Sequence, residues 1–180
     1  MKVNLKKGWY VIYVRSRHER KVHESLINNK LQSFLPLIKT VKNWSDRKKL
    51  TETPLFPSYV FVKINSSKEF FNALSIDGVC DFIRFGREYA LVKECEIENI
   101  KLLLSSDYKI GIEGNHQIPK VGELKKIEQG PLKGLECEIL RINNKSKIVV
   151  RLDSIQQNIT TIVPSEYLSE MNYGYSSVSA

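Results

Sequence analysis

The clearest hydrophobic run in the chain is Leu55-Phe56-Pro57-Ser58-Tyr59-Val60-Phe61-Val62-Lys63-Ile64. From Tyr59 it is β-branched and aromatic, with no turn former until Asn65, which predicts a central strand. Pro57 has no N–H to give to a ladder and belongs at the strand's entrance. Alternation sets Tyr59 and Phe61 on one face and Val60, Val62 and Ile64 on the other. The aliphatic face suits a core beneath helices. The aromatic face either packs a second layer or meets a partner.

Around this run the periodicity predicts an ordered series of elements. Gly8–Val14 reads as a first strand with Trp9, Val11 and Tyr13 on one face. Arg15–Lys21 then leads into a helix with Ser16 as candidate cap and Val22, Leu26 and Ile27 on its buried side. Phe34–Val41, entered through Pro36, predicts a second strand running on to Trp44. Asp46-Arg47-Lys48-Lys49 reads as a basic turn, and Leu50–Thr53 as the returning partner. Ser66 and Glu69 form a capping box that opens a short helix with Phe70, Phe71 and Leu74. Asp77-Gly78 turns the chain into a strand over Val79–Phe85, Gly86-Arg87-Glu88 turns it again, and Ala90–Val92 pairs back. A last helix from Glu94 to about Leu104 points Ile97, Ile100, Leu103 and Leu104 inward.

Beyond this the texture changes. Residues 105–119 lose their periodicity and read as a linker. Short strands follow over Glu123–Ile127, Leu135–Ile142, Lys147–Leu152 and Ile159–Val163, with Pro164–Leu168 closing a small five-stranded barrel. Leu132, Leu135, Ile139 and Ile142 also fall at helical spacing, but the strand formers Ile148-Val149-Val150 and Thr160–Val163 favour the barrel. The expected class is α+β: an antiparallel-sheet α/β sandwich over 1–107, a linker over 108–118, a β-barrel over 119–171 and a disordered tail over 172–180.

Charge sharpens this picture. From Lys2 to Lys49 there are 13 basic and 3 acidic residues, 13 − 3 = +10, whereas Lys120 to Glu170 carries 8 − 7 = +1. A nucleic-acid partner for the first part is therefore plausible, with a solubilising surface as the plainer reading. Cys80, Cys95 and Cys137 are dispersed and odd in number, which argues for a reducing, cytoplasmic setting without disulfides or zinc. His18, His23 and His116 show no ligand spacing, and no metal or cofactor is expected. No nucleophile is paired with a base and no Gly-rich phosphate loop follows a strand, so an enzyme is not expected. Neither a membrane span nor a signal-peptide core is legible.

Two motifs converge on a family. Gly130-Pro131-Leu132-Lys133-Gly134-Leu135, between Ile127 and Cys137-Glu138-Ile139, resembles the KOW motif of transcription factors and ribosomal proteins. Trp9-Tyr10-Val11, then Phe56-Pro57-Ser58-Tyr59, then Gly78 to Ile83, then a linker and a KOW barrel, is the order found in NusG-like factors. The resemblance covers about Gly8 to Met171 and implies an NGN-type domain followed by an SH3-like KOW barrel. Trp44 to Lys49 and Phe82-Ile83-Arg84-Phe85-Gly86 resemble the UpxY-type antiterminators of polysaccharide operons, relatives of RfaH. Ser58 stands where the general factor usually has Gly, and Cys137 where KOW usually has a second-strand Gly.

The resemblance implies a transcription elongation and antitermination factor, not an enzyme, that binds the RNA polymerase clamp helices and suppresses pausing and termination. On that reading Tyr13, Phe56, Pro57, Tyr59 and Phe61 form the helix-accepting surface, and Glu69, Phe70 and Phe71 touch the opposite side of the cleft. Arg15, Arg17, Arg20, Lys21, Arg84 and Arg87 face upstream or non-template DNA. Gly130, Pro131, Leu132, Lys133 and Gly134 would recruit a further partner, such as the ribosomal protein NusE or the termination factor Rho. A monomer is expected. The alternative is a ribosome-associated or RNA-binding KOW protein, against which the barrel's near-neutral charge counts.

Overall fold

The computed structural model describes residues 5–43, 48–106, 108–114, 124–127, 131–142 and 145–163. The chain forms two compact units, Met1–Leu104 with Leu152–Gln156, and Ser105–Arg151 with Gln157–Ala180.

The first unit is built on β1 (Gly8–Val14) and β5 (Tyr59–Ile64), which pair antiparallel with Trp9 opposite Lys63, Val11 opposite Phe61 and Tyr13 opposite Tyr59. β2 (Gln32–Phe34) flanks β5, while β6 (Val79–Phe82) and β9 (Leu91–Val92) flank β1. The decamer's strand thus lies inside the sheet, as its composition predicts.

One face of this sheet is a closed core. Tyr10, Ile12, Val14, Val60, Val62 and Ile64 are buried with Val22 and Leu26 of α1 (Glu19–Asn28) and Phe70 and Ala73 of α2 (Ser67–Leu74). Phe70 stacks on Phe82 at 4.2 Å between ring centroids, and Tyr10 meets Phe82 edge-on at 5.9 Å. Each such side chain contributes about 1.5–3 kcal/mol through burial. The expected capping box opens α2: Glu69 N donates to Ser66 Oγ at 3.2 Å, and Glu69 Oε2 accepts from Asn65 N at 2.8 Å.

The other face is covered at one end. Trp9, Val11 and Phe61 are buried, and α3 (Glu94–Leu104) lies against them with Ile97, Ile100 and Leu103 buried. Trp9 Nε1 donates to Glu94 Oε1 at 3.1 Å, Lys63 Nζ donates to Glu94 Oε2 at 3.3 Å, and Lys101 Nζ sits 6.0 Å from the Phe34 ring centroid. The hydrogen bond from Trp9, then Lys63, holds the Glu94 carboxyl below the usual carboxylate range. Glu96 of α3 accepts from Lys93 N at 2.9 Å and from Ser154 N at 3.2 Å, Ser154 lying in the Leu152–Gln156 segment of this unit.

Several elements differ from their sequence expectations. α1 starts at Glu19 with His18 as its cap residue, and the Ser16 side chain caps nothing. Ile27 is 51% exposed because the buried stripe runs through Glu19, Val22 and Leu26, a quarter-turn away. The expected strand through Pro36 is split into β2 and β3 (Leu37–Asn43), and Pro36 O instead accepts from Leu55 N at 2.8 Å. β3 pairs with β4 (Lys48–Pro54) as a separate two-stranded ribbon. The strand expected over Val79–Phe85 breaks at Ile83, whose N–H goes to Val11 O at 2.8 Å. β7 (Arg84–Phe85) and β8 (Glu88–Tyr89) make their own hairpin, Ala90 N pairs back to Ile83 O at 2.9 Å, and β9 then pairs with β1.

The second unit is a five-stranded antiparallel sheet in the order β10 (Ile110–Gly114), β14 (Gln157–Val163), β13 (Lys145–Leu152), β12 (Glu136–Ile142), β11 (Leu124–Lys126). Ile127, Leu132, Leu135, Cys137, Ile148, Val149, Val150, Ile159 and Val163 are buried. Burial pushes the Cys137 thiol up to about 12, so it stays protonated and behaves as a small apolar filler. The fifth strand comes from 110–114, inside the stretch read as linker; Thr161 Oγ1 donates to Lys109 O at 2.9 Å beside it. The expected closing segment, Pro164–Leu168, and the tail over 172–180 lie outside the described residues. β10 and β11 end the sheet, and no pairing among the described residues closes it into a barrel. Glu136–Ile142 is strand, not the helix its spacing also permitted.

The buried and open halves of the aromatic face respond differently to truncation. Phe61→Ala is expected to lower the free energy of urea unfolding by about 3–5 kcal/mol, and Tyr59→Ala by no more than about 1 kcal/mol. Equal losses at the two positions would contradict the half-covered face.

Candidate partner-binding face

The open end of the sheet is shaped by the turn that starts β5. Pro57 and Ser58 occupy its centre, and Tyr59 N donates back to Phe56 O at 3.2 Å. Ser58 has φ +64°, so the turn follows the type II pattern of proline followed by a left-handed residue. That position favours glycine, and a serine there is strained by about 1 kcal/mol. Two further bonds hold it: Ser58 N donates to Glu19 Oε1 at 2.8 Å, and Ser58 O accepts from Val14 N at 2.9 Å. Glu19 is buried in the first turn of α1, where an acidic side chain also suits the helix dipole.

With the turn fixed, Pro57 is exposed and Tyr59 half-buried. Tyr13, 46% exposed, meets Tyr59 edge-on at 6.2 Å. The pairing of β1 with β6 shifts register between Tyr13 and Val14, an irregularity that re-aims a strand's side chains. The result is an aromatic surface of Tyr13, Pro57 and Tyr59 at the end of the face that α3 leaves open.

The eight residues expected to meet the polymerase therefore separate. Tyr13, Pro57 and Tyr59 come together at the surface. Phe71 is 53% exposed on α2 and touches Phe70 edge-on. Phe56, Phe61 and Phe70 are 3%, 0% and 1% exposed, which corrects their expected part in a contact surface. Phe61 is packed between Phe34 and Phe56, and Phe70 between Phe82 and Tyr89, so these rings support the surface from beneath. The Glu69 carboxylate is engaged by the Asn65 N–H. Glu19 escaped sequence reasoning; its signal was an acid opening a helix just after a chain reversal.

The basic residues are exposed, and most are tethered. Arg15 and Lys21 both reach Asp77, at 3.5 and 2.7 Å, and the hydrogen bond and charge of Lys21 hold that carboxyl below its ordinary range. Arg20 pairs with Glu52 at 3.2 Å, and Arg84 with Asp81 at 2.5 Å while lying 5.5 Å from the Tyr89 ring centroid. Arg17 and Arg87 are exposed without an ion pair among the described residues. Exposed pairs of this kind are weak and open readily to a competing phosphate.

In the second unit Pro131 and Lys133 are exposed, whereas Leu132 is buried and so supports the turn instead of meeting a partner. Gly134 has φ +94° and donates its N–H to Ile127 O at 2.7 Å, a conformation that calls for glycine. Gly130 lies outside the described residues. Among the described residues no three His, Cys, Asp or Glu side chains gather as a metal site, and no helix is long and apolar enough to cross a membrane.

The first unit leaves one aromatic strand end open amid tethered cations, and the second unit is a β-sheet. Residues 7–101 match the family described as transcription termination factor nusG, and the chain belongs to the NusG family. Members of this family are non-enzymatic transcription factors that bind RNA polymerase. The fold is similar to that of Thermotoga maritima NusG, in a structure titled "Domain interaction in Thermotoga maritima NusG", with a TM-score of 0.52 and 22% identity over 92% of this chain and 98% of that one. No curated protein matches the chain.

The strained turn yields a direct test. Ser58→Gly is expected to raise the unfolding free energy by about 0.5–1 kcal/mol, since relief of the left-handed strain outweighs glycine's extra chain entropy. A loss of stability on thermal or urea melting would contradict the assigned conformation.

Proposed function

We propose that this protein is a transcription elongation and antitermination factor that docks on the clamp helices of RNA polymerase through Tyr13, Pro57 and Tyr59. The single observation that carries the reading is the Tyr13–Tyr59 pair, left open on a sheet face whose other end is sealed by α3, in a chain of the NusG family. Aromatic rings on a rigid strand lose little entropy on binding and are suited to anchor an amphipathic helix. Phe71, on α2, serves a second contact across the polymerase cleft.

Arg15, Arg17, Arg20, Lys21, Arg84 and Arg87 face upstream or non-template DNA, where their weak tethers yield to phosphate. The second unit acts as a KOW domain that recruits a ribosomal or termination partner through Pro131 and Lys133. The N-terminal domain ends by residue 107, and β10 belongs to the domain that follows it. The likeness of residues 44–49 and 82–86 to UpxY and RfaH relatives supports an operon-specific role, in polysaccharide operons.

Changing Tyr13 and Tyr59 together to Ala tests the docking. Each anchor is expected to contribute about 2 kcal/mol, so capture by a clamp-helix fragment should fall at least about 30-fold per ring. Denaturant melts should show the fold retained. Undiminished capture by the folded double variant would remove these rings from the interface.

A further inference from the structure

The turn that starts β5 has two ways to run, and its residues favour the one that is not seen. Phe56 to Tyr59 close it through Tyr59 N and Phe56 O at 3.2 Å. Type I and type II turns both allow this bond and both accept proline at the second position. They differ by a flip of the central peptide plane, which here joins Pro57 to Ser58. Type I leaves the third residue in an ordinary backbone region, whereas type II forces it into the left-handed region that serine avoids. Ser58 nevertheless stands at φ +64°.

One contact tells the two turns apart. The Ser58 N–H belongs to the flipping plane, and Glu19 Oε1 accepts it at 2.8 Å. A flip to type I would swing this N–H away and turn the Pro57 carbonyl oxygen towards the carboxylate, exchanging an attraction for a repulsion. The other restraints do not choose between the turns. The Tyr59 N to Phe56 O bond serves both, and proline fixes only its own φ. Ser58 O, which accepts from Val14 N at 2.9 Å, lies outside the flipping plane. Glu19 is only 7% exposed, so water competes little for its oxygen. It is the first residue of α1, a helix anchored in the core by Val22 and Leu26.

We infer that Glu19 is a positioning residue for the aromatic surface: its carboxylate selects the orientation of the Pro57–Ser58 peptide, and so the type II turn that presents Pro57 and Tyr59 beside Tyr13. Being buried, Glu19 acts through Ser58 and not by touching a partner. The inference deepens the proposed function, on which it rests. A partner that reads Pro57 and Tyr59 meets the competent surface only in the fraction of molecules that hold the type II turn. Glu19 and Ser58 therefore work as a pair. A glycine at position 58 would keep the same turn unaided, whereas a serine there depends on the acid.

The test uses the full chain, read by NMR of the free protein and by capture on a clamp-helix fragment. In wild type the Pro57 Hα proton is expected close to the Ser58 amide proton, a contact that is short in a type II turn and long in type I. Its absence would overturn the inference outright. Glu19→Ala is expected to lose this contact and to weaken capture about tenfold, with both tyrosines untouched. Glu19→Gln, whose side-chain carbonyl still accepts from Ser58 N, should keep the contact and stay within about threefold of wild type. Glu19→Ala combined with Ser58→Gly should regain both, since glycine needs no support at positive φ. Val22→Ala, a core truncation in the same helix, should lower the melting midpoint yet leave the turn contact and capture intact, a split that a merely structural role for Glu19 would not produce. Retention of the turn contact in Glu19→Ala would overturn the inference, as would capture at wild-type strength once the contact is lost. If Ser58→Gly fails to restore folding or capture to Glu19→Ala, the acid is a structural or direct contact and the inference fails. Wild type that shows the turn and its dependence on Glu19, yet is not captured, would sink the docking and leave the turn selection standing.

Discussion

The first unit depends on how far α3 reaches across the sheet. It meets the sheet at Glu94, where Trp9 and Lys63 face each other across β1 and β5, and at Lys101, over the Phe34 ring that neighbours Phe61. The next register position on the same face, Tyr13 opposite Tyr59, lies beyond both. Eleven helical residues extend about 16 Å, against about 23 Å for the seven residues of β1. A helix of this length covers the Trp9 end of the face and leaves the Tyr13–Tyr59 end open. Buried core and open aromatic end therefore share one strand face, divided by where the helix stops.

The open end needs its own support, which a strained turn supplies. Ser58 adopts a left-handed conformation held by a buried carboxylate from α1 and by the backbone of β1. These three elements meet at one residue, so the direction of Pro57 and Tyr59 is tied to the frame of the unit. Such anchoring suits a binding surface, because rings already fixed in place have less freedom to lose on docking. The cations around this surface are held more loosely. Their ion pairs with Asp77, Glu52 and Asp81 are exposed, which keeps them positioned yet available.

Much of this was legible in the sequence, and the gaps have physical causes. Strand alternation gave the faces of β1 and β5 correctly because both strands run in register beside each other. The Ser66–Glu69 cap and the buried positions Ile97, Ile100 and Leu103 followed from local spacing. Alternation alone could not tell Tyr59 from Phe61, since their difference is made by α3, which comes 30 residues later and packs non-locally. Phe56, packed on Phe61, and Phe70, packed between Phe82 and Tyr89 in the core of the opposite face, were misread as contact residues because those neighbours too are distant in sequence. β10 was missed because Gly111 and Gly114 read as linker, whereas its order comes from pairing with β14.

The central claim is that the partner meets the sheet where α3 ends. Amide and aromatic chemical-shift mapping of the labelled full chain, titrated with a clamp-helix fragment of RNA polymerase, tests it most directly. The account predicts the largest shifts at Tyr13, Ser58 and Tyr59, with the Trp9 indole N–H, sealed against Glu94, almost unmoved. Shifts centred on Trp9 and α3, or confined to the second unit, would contradict it.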